Sequence, residues 1–171
     1  MMSISAELAG ARIGRTFNQY AAGYRAPLLR ARLAAYLNVR RDAPIILVGE
    51  APGYRGARIS GIPFTSERQL TGAGPGEATA TIVNRVLTEL GVEDEVLLWN
   101  AVPTHPGTAT TNRPPTRHEI RRGLPFVERL AEGRDVIAVG RVAASALGAP
   151  YVRHPSHGGA HRFALELGQF F

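Results

Sequence analysis

The sequence predicts an α/β fold: a three-layer α/β/α arrangement around a parallel sheet of about four strands. Three observations point there. Apolar runs of strand length recur at Ile45 to Val48, Val96 to Trp99, Val136 to Val139 and Tyr151 to Arg153. These runs are largely continuous rather than alternating, which fits strands buried on both faces. Segments with helical periodicity lie between them, the order expected of parallel strands joined by crossover helices.

The elements follow in order. After a poorly patterned start, Pro27 to Leu37 places Leu28, Leu29, Leu33, Tyr36 and Leu37 on one helical face, with Pro27 suited to the first turn. The first strand runs into a long glycine-rich loop, Glu50 to Gly76, of the length that usually carries function. A helix is predicted over Glu77 to Leu90, with Ile82, Val83, Val86, Leu87 and Leu90 inward and Gly91 as terminator. The second strand leads into a Pro- and Thr-rich loop, Ala101 to Pro115. Thr116-Arg117-His118-Glu119 then has the spacing of a capping box. Gly123 and Pro125 predict an interruption of that helix and a kink before Phe126. Gly140 turns the chain out of the third strand into a short helix, Val142 to Leu147, and a last helix covers Ala160 to Leu167.

At 171 residues and 44% hydrophobic, the chain fits one domain spanning residues 1–171, and a monomer is expected. No apolar run approaches the roughly 20 residues of a membrane span, and the N-terminus lacks the regions of a signal peptide. No membrane partner and a cytoplasmic location are therefore expected. All 20 basic residues are arginine. Without lysine, Schiff-base chemistry and a lysine-bearing phosphate loop are excluded. The net charge of +6 suits a nucleic-acid partner; a coding bias that replaces Lys with Arg accounts for the lysine deficit equally well. The absence of cysteine excludes disulfides, thiolate nucleophiles and cysteine-held clusters.

Three strand ends deliver polar clusters, and ligands in open α/β sheets bind beyond the carboxyl ends of strands. Glu50, Asn100 and His154 are thus expected to be neighbours. Gly49-Glu50-Ala51-Pro52-Gly53 lacks the glycine spacing of a dinucleotide fingerprint. Downstream, Phe64 suits either stacking on a planar ligand or anchoring its loop to the core. Asn100 offers the donor and acceptor that grip a nucleobase edge, and equally a turn or cap. Pro155 fixes a turn that points His154 back toward the cleft. His154, His157 and His161 lack helical presentation and an acidic partner, so no metal is expected. Ser156 lacks a nucleophile elbow.

In this order, Gly49 to Gly53, Leu97 to Val102, and His154-Pro155-Ser156 followed by Arg162-Phe163 resemble the motifs of the uracil-DNA glycosylase superfamily. The first motif is similar to that of the iron–sulfur branch, although a chain without cysteine belongs to a cluster-free one. The resemblance implies an enzyme that flips a damaged base out of single- or double-stranded DNA and hydrolyses its N-glycosidic bond, with no cofactor. It implies that His154 stabilises the leaving base, Asn100 selects it and Phe64 stacks on it, with Gly49, Ala51, Pro52 and Gly53 lining the base pocket. Ala51 stands where the best-studied branch has a water-activating aspartate. Glu50 is the nearest carboxylate, either orienting water or stabilising its own loop. Gly53 replaces a tyrosine that blocks thymine, so a wider pocket is expected, with room for hypoxanthine, xanthine or mismatched thymine. Ser156, His157, Arg162, Arg55 and Arg58 are the expected DNA contacts. No apolar wedge follows the second motif. A non-catalytic binder of uracil-bearing or abasic DNA and a nucleoside or nucleotide hydrolase are the alternative functions.

Overall fold

The computed structural model describes residues 2–171. Four strands form one parallel sheet in the order β2-β1-β3-β4: β1 Ile45–Gly49, β2 Val96–Asn100, β3 Asp135–Val139 and β4 Tyr151–Val152. Side chains alternate across it. Ile46, Val48, Leu97 and Trp99 face one layer, with Leu29 and Leu33 of α2 (Ala26–Val39) and Val127 and Leu130 of α6 (Arg117–Ala131). Ile45, Leu47, Val96 and Leu98 face the other, with Val83, Val86 and Leu87 of α5 (Ala78–Leu90) and Phe163 and Leu167 of α8 (Ala160–Leu167). The central runs are continuous in the sequence because both faces are covered. The register pairs Gly49 with Asn100, so β1 and β2 end level with each other at the carboxyl edge.

Local signals explain most of the boundaries. Gly91 closes α5 with a φ of +70°, a conformation glycine adopts without steric cost. The capping box at Thr116 forms as its spacing predicts: Thr116 Oγ1 accepts from the Glu119 N–H, and Glu119 Oε2 accepts from the Thr116 N–H. The interruption predicted at Gly123 and Pro125 does not occur, and α6 runs unbroken from Arg117 to Ala131. Gly123 serves close approach instead, because a Cβ there would lie 2.0 Å from the Ala101 carbonyl oxygen. Pro125 is on the exposed face, where the carbonyl it leaves unpaired meets water. β4 stops at Val152, one residue early, because the Arg153 N–H turns to Glu166 Oε2 at 2.6 Å.

Three short helices were not predicted. α1 (Ile4–Gly10) contributes only Leu8 to the fully buried core, too little for a periodic signal. α3 (Ala57–Ser60) and α4 (Glu67–Thr71) lie within the long loop after β1. Ser66 and Gln69 form a capping box at the start of α4, a signal legible as Ser-x-x-Gln. The short helix after β3, α7, spans Arg141–Leu147. No helix among the described residues is long and apolar enough to cross a membrane.

Candidate active site

A cleft of about 410 Å³ opens at the carboxyl edge of the sheet. Into it the turn after β1 brings Glu50, Ala51, Pro52 and Gly53. The following loop brings Phe64, the end of β2 brings Asn100, and the turn after β4 brings His154, Ser156 and His157.

Gly49, expected to line the base pocket, is instead buried beneath this cleft. A Cβ there would lie 2.3 Å from Phe64 Cζ and 3.0 Å from Asn100 Oδ1, so ring and amide meet where a side chain would stand. Phe64 both joins the core beside Val83 and Leu98 and lines the cleft. Its φ of +51° is left-handed, a conformation that costs a non-glycine residue roughly 1–3 kcal/mol. Two bonds hold it there. Asn84 Nδ2 donates to the Phe64 carbonyl at 2.6 Å, and Ser60 Oγ donates to the Thr65 carbonyl at 2.6 Å.

The turn after β4 sets the state of His154. The Ser156 N–H donates to His154 Nδ1 at 3.2 Å, with Ser156 Oγ 2.7 Å from the same atom. Nδ1 is therefore an acceptor, and a neutral ring carries its hydrogen on Nε2. Burial pushes the His154 pKa down, with His157 and Arg153 acting in the same direction, so the neutral form prevails at pH 7.

Two carboxylates face the cleft, and burial pushes the pKa of each upward: Glu50, and Glu77, which the sequence reading missed. Glu77 also corrects the expectation of an open space at Gly53. A Cβ on Gly53 would lie 2.4 Å from Glu77 Oε2, so the start of α5 fills the room that the glycine leaves. A stability prediction follows for both carboxylates. Their folded pKa values lie above the unfolded ones, so their contribution is fully present below about pH 4.5 and is lost as pH rises through the folded values. Glu50→Gln and Glu77→Gln are each expected to gain melting temperature relative to the parent at pH 7 but not at pH 4, by roughly 2–4 °C for each kcal/mol recovered. Thermal melts at the two pH values check this.

The loop after β2 braces the first motif. The buried His105 ring bridges the Pro52 carbonyl at 2.7 Å and the Thr108 carbonyl at 2.8 Å, and Tyr54 N–H donates to Asn112 Oδ1 at 2.9 Å. Asn112 and Arg113 then line the cleft. Glu119, 1% exposed, holds Arg113 through both oxygens at 2.7 and 2.8 Å and accepts the Arg15 and Thr116 N–H groups. Arg113 above all, with these backbone donors, lowers the Glu119 pKa to about 2. Glu119→Gln is expected to destabilise the protein by about 2–3 kcal/mol, below the roughly 3–5 kcal/mol for breaking a fully buried pair because Arg113 is partly solvated. The loss should be fully developed above pH 4.5 and vanish as pH falls toward 2, as urea unfolding at several pH values would show.

Asn112, Arg113 and Glu77 were missed because tertiary contacts alone bring them to the cleft; Arg113 six residues before Glu119 was the one faint sign. Three expected DNA contacts lie outside this cleft. Arg58 stacks on Phe17, 4.8 Å from the ring centroid, in a separate cleft with Tyr24 and Arg25. Arg162 is exposed but paired with Glu166 at 2.7 Å, one turn along α8. Arg55 lines a shallow neighbouring cleft with Tyr54 and Arg68. No group of three or more His, Asp or Glu side chains among the described residues is placed to hold a metal ion.

No curated protein matches the chain in sequence. In structure, SMUG2 of Pedobacter heparinus matches with a TM-score of 0.69 at 13% identity, over 100% of this chain and 97% of that one. At that identity the likeness establishes the fold. The sequence profile of the Uracil DNA glycosylase superfamily matches residues 37–168, a span that holds all four strands and every cleft residue described above, and the chain belongs to that superfamily.

Proposed function

We infer that the protein excises uracil from DNA by hydrolysing the N-glycosidic bond and leaving an abasic site. The observation that carries this reading is the convergence of Phe64, Asn100 and His154 on one cleft at the carboxyl edge of the sheet. A uracil stacked on Phe64 presents N3–H to Asn100 Oδ1 and O4 to Asn100 Nδ2. His154 Nε2–H is the donor for O2. As the C1′–N1 bond breaks, its electron pair stays with the base and spreads onto O2, so this hydrogen bond strengthens in the transition state. Water adds to C1′, and Glu50 takes its proton; the raised pKa of a buried carboxyl suits a base working near neutral pH.

Charge placement supports DNA as the substrate. Acidic residues precede three strands: Asp42 before β1, Glu93 to Glu95 before β2, and Asp135 at the start of β3. Arginines on that side are engaged internally, Arg40 with Asp94 and Arg134 with the Ala43 and Leu130 carbonyls. On the carboxyl side, Arg55 and Arg141 form no ion pair among the described residues, leaving positive charge where a phosphate backbone would lie.

Strand preference is a test. The turn after β4 ends in His157-Gly158-Gly159 with no large apolar side chain to hold a base stack open, so unpaired uracil is the cheaper substrate. Rates on single-stranded uracil oligonucleotides should exceed those on the same sequence paired to adenine by about tenfold or more. Equal rates on both would count against this account of base extrusion.

A further inference from the structure

Uracil and thymine present the same donors and acceptors at O2, N3 and O4, so neither His154 nor Asn100 can tell them apart. Discrimination has to come from the C5 side. With O2 at His154, N3 and O4 at Asn100 and the sugar on N1, the C5–C6 edge points away from both side chains, and the lining left to meet it includes Gly53, Ala57 and the start of α5. There stands the Glu77 carboxylate. Its Oε2 would lie 2.4 Å from a Cβ on Gly53 and 1.9 Å from one on Gly56, so glycine at both positions is what admits it. Glu77 is also the N-cap residue of α5, yet its side chain makes no capping bond. The short polar side chains preferred at that position satisfy a free helix N–H; this longer one is turned into the cleft.

We propose that Glu77 is a specificity-determining residue that closes the C5 side of the base pocket and excludes pyrimidines substituted at C5, thymine above all. The proposal rests on the uracil reading of the same site. A methyl group at C5 meets the carboxylate and offers it no hydrogen bond, a desolvation penalty that a purely apolar wall would not impose. Because thymine fills every DNA substrate, the pocket needs this discrimination more than any other.

The test compares the full-length protein with Glu77→Ala, which removes bulk and charge, and Glu77→Gln, which keeps the bulk. Affinities are measured for single-stranded oligonucleotides carrying one cleavage-resistant 2′-fluoro-2′-deoxyuridine or its 5-methyl counterpart, and release of 5-hydroxymethyluracil and thymine is measured in parallel. The parent should favour the uracil analogue at least tenfold. In Glu77→Ala this ratio should fall below threefold, and thymine release relative to uracil should rise at least tenfold, more than that of 5-hydroxymethyluracil, whose hydroxyl can donate to the carboxylate. Glu77→Gln should lie between the two. A parent without preference, or a Glu77→Ala protein that is folded by its thermal melt and keeps the parent's ratio, overturns the proposal. If the parent binds with the stated preference but releases no base, the catalytic reading fails while the assignment of Glu77 stands.

Discussion

Replacing His154 with alanine is expected to lower the single-turnover rate of uracil release about 10²–10³-fold at pH 7, while DNA affinity changes only a few-fold. The magnitude is that of losing one preorganised donor to a developing oxyanion. The split between rate and binding follows because the bond to O2 strengthens only as charge builds there. The donor is preorganised by its own turn: the Ser156 N–H occupies Nδ1 and leaves Nε2–H for the base. Acid should therefore impair rather than help the enzyme. A proton added at Nδ1 confronts the Ser156 N–H, and burial together with His157 and Arg153 already disfavours the cation. In stability the sign is the same. The unfolded histidine takes its proton near pH 6.5 and the folded one only lower, so stability falls as pH drops between those values, and His154→Ala should remove that slope. A pH series of rate and melting temperature measures both.

Asn100→Ala is the second large effect. Its amide reads N3–H and O4 together, and a bidentate contact of this kind discriminates by about 1–3 kcal/mol, so kcat/KM for uracil should fall roughly 10- to 100-fold. Selectivity should fall with it. Cytosine presents an acceptor at N3 and a donor at C4, the reverse of what an amide oriented for uracil offers, and truncation removes that mismatch along with the match. Competition between uracil- and cytosine-bearing oligonucleotides, read as relative affinity, should narrow toward unity in the variant. Asn100 is 4% exposed at the end of β2, so a thermal melt should accompany the assay.

The parts of this site that lie at strand ends were legible in the sequence. Continuous apolar runs mark strands covered on both faces, and such strands end in one row, which places Glu50, Asn100 and the turn to His154 beside each other before any contact is known. The helix at Thr116 was legible for a different reason, a local reciprocal bond with fixed spacing. What escaped is what depends on long-range packing. Glu77 read as the first residue of a helix; only the folded loop shows that Gly53 and Gly56 make room for its carboxylate. Arg58 read as a DNA contact; its stacking on Phe17, far away in sequence, was not legible. Gly123 and Pro125 read as helix breakers because propensity cannot see the Ala101 carbonyl that requires a glycine, or the solvent that tolerates the proline.

The most direct measurement is single-turnover release of uracil from a single-stranded oligonucleotide by the purified protein, with the abasic product revealed by alkaline cleavage, beside His154→Ala and Asn100→Ala. The expected result is complete conversion by the parent, with both variants slowed by the factors given above and still bound to the DNA. Tight binding by the parent with no abasic product, or variants that match its rate, would contradict the assignment of this cleft as a uracil-excising site.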